Sequence, residues 1–139
     1  MAAFNKFNQF VEDIAKGVHN LATGALTIAL TATANAPVAT NSILGNLTQI
    51  AYTNLSSRLC TTTSCTQTSG VLKLLIVDLV LTASGAVAAF QYVVLYNDTP
   101  TSPADPLIGW YDYGSALTLA SGETFTIDFD GTNGVLTIT

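Results

Sequence analysis

The chain has 139 residues and a formal net charge of −5, with Lys and Arg together supplying 4 residues and Asp and Glu 9. That length suits one domain able to bury a core without metals or disulfides. Four scattered cations (Lys6, Lys16, Arg58, Lys73) cannot form the basic patch that phosphate binding needs, so a nucleic-acid role is excluded. Charged residues are 9% and hydrophobic ones 49% of the chain, against about 25% charged in an average soluble domain. A surface so poor in charge points to a protein that covers itself with other protein, as a homo-oligomer or in an assembly.

The opening reads as an amphipathic helix over residues 1–24. Phe4, Phe7, Val11, Ile14, Val18 and Leu21 recur at steps of three and four, Phe10 widens the stripe, and Glu12 stands four residues before Lys16, the favourable order for a helical ion pair. We expect this segment to be an arm separate from the rest, with Phe4, Phe7, Phe10, Val11 and Ile14 as assembly contacts. Leu21–Ala34 imitates a signal peptide, but Glu12 and Asp13 spoil a positive leader and the apolar run alternates as a strand does. No segment approaches the roughly 20 uncharged apolar residues of a membrane span.

From residue 25 β signals dominate, and Thr alone supplies 21 residues of the chain. Leu26, Ile28 and Leu30 alternate with Thr27, Ala29 and Thr31, which predicts a strand with one buried face. A looser connection follows over 33–46, and 43–50 fits either a helical turn or a strand. Residues 58–68 suit a polar edge strand or hairpin. Val71–Leu81 reads as one strand apolar on both faces and therefore covered on both. Further strands are expected at 89–97, 107–113, 116–119, 123–129 and 135–139, separated by a Pro- and Asp-rich loop and by Gly-containing turns. The predicted fold is mainly β: one antiparallel β-sandwich or jelly-roll-like domain over 25–139, with one N-terminal α-helix.

Residues able to carry chemistry are few. His19 is the sole histidine, and no Ser-His-Asp or Cys-His spacing accompanies it; it reads as a surface residue at the helix end, and the chain as no enzyme. Cys60 and Cys65 would lie roughly 16 Å apart on one strand, beyond the ~6 Å of a disulfide, and read as ordinary thiols unless a turn intervenes. Asp128, Asp130 and Asn133 resemble half of a calcium loop, but without a closing Glu a hairpin turn explains them, and no metal or other cofactor is expected. Trp110, Tyr111 and Tyr113 could stack on a sugar, although alternation divides them between two faces. Asn46, Asn54 and Asn97 match the glycosylation acceptor pattern, as chance allows in a chain this rich in Asn, Thr and Ser.

Two stretches carry a family likeness. One runs Phe90-Gln91-Tyr92-Val93-Val94-Leu95-Tyr96-Asn97-Asp98-Thr99-Pro100, continues through Asp105-Pro106-Leu107-Ile108-Gly109-Trp110-Tyr111-Asp112-Tyr113-Gly114 and closes on Gly122-Glu123-Thr124-Phe125-Thr126-Ile127-Asp128-Phe129. The other holds Phe4-Asn5-Lys6-Phe7, Val11-Glu12-Asp13 and Val18-His19-Asn20-Leu21. They resemble a family of small virion structural proteins of tailed bacteriophages, of the capsid decoration or cement type. The resemblance covers about half of the chain and leaves out Thr53–Gly70. It implies a homo-oligomer, dimer or trimer, bound to the major capsid protein on the outside of the virion after assembly in the host cytoplasm, with no catalytic or cofactor residues. A tail or head-fibre component, and a secreted carbohydrate-binding sandwich, are the alternatives.

Overall fold

The computed structural model describes residues 2–139. Strands hold 46% of the chain and helical turns 10%, and all sheets are antiparallel, so the mainly β expectation with one N-terminal helix holds. In chain order the elements are β1 (Asn5–Lys6), α1 (Asn8–Ala15), β2 (Leu26–Thr31), β3 (Thr62–Thr68), β4 (Val71–Ile76), β5 (Leu79–Thr82), β6 (Val87–Asn97), β7 (Leu107–Leu119), β8 (Thr124–Ile127) and β9 (Leu136–Ile138). Single 3-10 turns at Thr33–Asn35 and Leu44–Asn46 punctuate the long connection after β2.

One layer is the four-stranded sheet β1-β7-β6-β2; the other consists of β3-β4-β9 beside the pair β5-β8. Between them lies the main core: Leu26, Ile28 and Leu30 from β2, Phe90, Val93 and Leu95 from β6 and Ile108 from β7 meet Leu74, Ile76, Leu81 and Ile127 from the facing strands. The far side of the large sheet carries a second cluster. Phe7, Ala29, Val94, Tyr96 and Leu107 are buried there beneath Leu44, Leu47 and Trp110. All six residues of β2 are consequently buried, and the expectation of one exposed face fails because the connection after β2 folds back over it.

The N-terminal segment is not an arm. Asn5 and Lys6 pair with Trp110 and Gly109 of β7, so Phe4 and Phe7 flank a strand and not a helical turn. Phe7 is fully buried and Phe10 4% exposed, Phe4 and Ile14 pack half-buried on the main core, and of the five expected contacts only Val11 is open, at 53%. The three-and-four spacing misled because a strand running into a helix happened to preserve it. Helix α1 ends early as well. Gly17 takes φ +75°, and the Val18 and Gly17 amides donate to the Asp13 and Ile14 carbonyls, a left-handed stop that terminates the helix seven residues before Gly24. The expected Glu12–Lys16 ion pair is present.

Val71–Leu81 also divides. Val77 and Asp78 separate β4 from β5, which belong to different sheets, and the Asp78 carboxylate accepts the Phe129 amide at 2.9 Å. Leu74, Ile76 and Leu81 face the core, whereas Val71, Val77 and Val80 are 37%, 48% and 50% exposed. One face of this segment is therefore left uncovered by the chain itself. The total accessible surface of 6879 Å² nonetheless matches the roughly 6.9 × 10³ Å² of a compact monomeric chain of this mass.

These contacts set an expectation for the N-terminal residues. Phe7→Ala should lower stability by about 3–5 kcal/mol, while the exposed Val11→Ala should change it by less than about 0.5 kcal/mol. Urea unfolding followed by circular dichroism checks both, and equal effects would contradict the placement of Phe7 in the core.

Candidate functional site

Strand β7 begins buried, at Leu107, Ile108 and Gly109, is exposed over residues 112–116, and is buried again at Leu119. Its alternation sends Trp110 onto Phe7, with ring centroids 4.5 Å apart. Tyr111 goes the other way, 5.2 Å from Phe4 and 6.3 Å from Phe129. Beyond Asp112 the strand outgrows its neighbour: Tyr92 pairs with Asp112 and Phe90 with Leu117, so residues 113–116 stand opposite Gln91 alone. The Asp112 carboxylate closes this bulge by accepting the Gln91 side-chain amide and the Gly114 backbone amide, both at 2.8 Å. Bulges of this kind re-aim side chains at the edges of sheets. Here Tyr113 is turned outward, 53% exposed, and set nearly perpendicular to Phe125 of β8 at 5.6 Å.

The result is a cleft of about 160 Å³ between β7 and β8. Val93, Tyr111, Tyr113, Phe125 and Ile127 line it, with Ala2, Thr126 and Asp128 completing the wall. Burial pushes the Tyr111 hydroxyl up to about 12, and the Asp130 and Asp128 carboxylates add to the shift. The site thus combines aromatic faces with negative charge. Of the three aromatic residues marked in the sequence, the structure removes Trp110 to the opposite face and groups Tyr111 with Tyr113. Phe125 was missed as a partner, because only tertiary packing brings β8 beside the bulge; the alternation of Thr124–Ile127 was its one sequence signal.

The remaining marked residues have internal duties. His19 is not a surface residue. It is 8% exposed, packs against Phe10 at 5.2 Å, and its Nδ1 lies 3.5 Å from the Asn97 side-chain amide. The helix stops at Gly17, so His19 turns back onto the sheet where a longer helix would have carried it outward. Burial holds its pKa below the ordinary value, with Asp13 opposing. Cys60 and Cys65 are free thiols; Cys60 is buried, and burial raises it to about 12. Both Asp130 carboxylate oxygens are spent inside the turn, on the Thr132 and Asn133 amides and the Asn133 side chain. Asn46 accepts hydrogen bonds from Ser42 and Ile43, Asn54 donates to the Ala86 carbonyl, and Asn97 is 1% exposed. Among the described residues, no helix is long and apolar enough to cross a membrane.

Comparison with protein-family models, with curated proteins and with solved structures finds no match to this chain.

Two outcomes follow from these environments. The unfolded imidazole of His19 takes up a proton near its ordinary value of 6.5, whereas the folded one does so only at lower pH. Its contribution to stability is therefore complete above that value and is lost as pH falls below it, by at most about 1.4 kcal/mol per pH unit. Denaturation midpoints should fall between neutral pH and pH 5 (about one and a half units below the ordinary value), and His19→Asn should flatten that slope. Separately, EDTA should leave the melting temperature unchanged, since the Asp130 carboxylate is already satisfied within its turn; a fall of several degrees would show that a metal holds the loop.

Proposed function

We propose that this chain is a structural subunit of a tailed-bacteriophage particle, a decoration protein that sits on the outer surface of the major capsid shell as a homo-oligomer and stabilises it without catalysis. The observation that carries this reading is the character of the uncovered β surface. Val71, Val77 and Val80 are exposed on the outer layer, and the register sets Val71 beside Thr68 and Val80 beside Thr126, with Thr82 beside Thr124. Lys73 is the one cation of those strands. A face of Val and Thr with a single lysine gives up little hydration when another protein covers it, and so suits packing on neighbours and shell.

Two further features support the reading. The charge deficit extends over the whole chain, and the likeness to virion structural proteins falls on β1, α1 and the strands from β6 onward, which supply three of the four strands of the large sheet and β8 and β9 of the facing layer. A cement protein needs a compact β body, and the accessible surface of 6879 Å² is that of a compact chain of this mass.

Light scattering at micromolar concentration should give a multiple of the 14.5 kDa chain mass; the mass of a single chain would contradict the oligomer. Antibody labelling or electron cryo-microscopy of particles should place the chain on the capsid lattice. Label confined to the tail, or found on no particle, would overturn the assignment.

A further inference from the structure

The β7–β8 cleft is apolar at its floor and acidic at its mouth. Val93 and Ile127 form the floor, and the rings of Tyr113 and Phe125, inclined at 81°, make a corner above it. At the mouth stands Asp128. Asp112 and Asp130 lie nearby in sequence, but their carboxylates are engaged by the bulge and the turn. Among the described residues, the Asp128 carboxylate has no such partner.

Among the described residues, no side-chain cation neutralises this charge. Among the described residues the single ion pair is Glu12–Lys16, Arg58 lies over the Tyr52 ring, and Lys73 donates to the Thr132 carbonyl. None of the four cations lines the cleft. Its volume of about 160 Å³ is well short of the roughly 300 Å³ at which small-molecule sites begin, and fits one long side chain better than a sugar or a cofactor. Aromatic faces attract a cation electrostatically, and the methylene stem of a basic side chain packs on apolar surface while its head stays at the rim.

We infer that the cleft is a socket for a lysine or arginine side chain presented by a partner protein. The inference rests on the reading of the chain as an assembled subunit for the existence of a partner, and on the cleft's own geometry for the partner's charge. Its chemistry is accordingly testable on the isolated chain.

The probe is N-acetyl-arginine amide, titrated into the full ¹⁵N-labelled chain at low salt, with N-acetyl-norleucine amide as the uncharged control. Amide shifts should concentrate at Tyr111, Tyr113, Phe125, Thr126 and Asp128, and the control should produce much smaller ones. Asp128→Asn and Tyr113→Leu should each weaken the arginine response roughly threefold. Both positions are exposed, and the spectrum itself reports whether each variant is folded. Equal shifts from norleucine, a response indifferent to Asp128→Asn, or a cleft silent to arginine would each overturn the socket. A chain found on no particle would overturn the virion reading and leave this titration standing.

Discussion

Burial of β2, and of the parts of β6 and β7 beside it, on both faces is the constraint on which the rest of the molecule depends. A sheet covered on one side needs only a partner layer; this one also needs a lid, and residues 36–50 supply it. That requirement explains why Thr27 and Thr31 are buried, why Phe7 must leave the helix to sit beside Trp110, and why a long irregular connection is kept close to the body. The outer edge of β2 is sealed with equal care. Cys60, Ile50 and the Arg58 guanidinium donate to its carbonyls, while Arg58 and Tyr52 receive its amides. The chain's single arginine is thus consumed in closing an edge.

The opposite margin of the same sheet is treated differently. Strand β1 covers β7 only at Gly109 and Trp110, after which β7 bulges and runs on without a neighbour on that side. Edges left open in this way are liabilities unless something covers or disrupts them. Here the bulge twists the strand, Asp112 is tied across it, and Tyr113 is directed at Phe125. The same geometry that spoils the edge for indiscriminate pairing creates the aromatic cleft. Strand β3 deals with its own open edge by composition, with Thr and Ser in place of apolar residues.

Legibility in the sequence followed the range of the forces involved. Period-two alternation identified β2 and β6 almost to the residue, because burial on a sheet is written locally. The Asp130 turn and the Glu12–Lys16 pair were equally plain. The failures share a cause. Phe4 and Phe7 satisfied a helical pattern while belonging to a strand, and Val71–Leu81 looked like one doubly buried strand while Asp78 broke it to reach Phe129. His19 looked exposed until Gly17 reversed the chain and laid it against Asn97 of β6. Each depended on a contact across dozens of residues. The cleft was half legible: Tyr111 and Tyr113 were marked, whereas Phe125 and the loss of Trp110 to the other face required the register of β6 against β7.

Close approach of β1 to β7 has an evolutionary consequence. A Cβ at Gly109 would fall 2.3 Å from the tip of the Phe4 ring and 2.6 Å from the Asn5 carbonyl, distances no real contact sustains. The ring could be trimmed by substitution, but the carbonyl belongs to the backbone and could yield only if β1 moved. Residues 4 and 109, more than a hundred positions apart, are therefore epistatic. Drift at 109 is blocked while Phe4 remains, and a smaller residue at 4 opens only part of the way, because the strand must also shift. In lineages that retain β1, glycine at 109 should outlast the identity of the aromatic that presses on it.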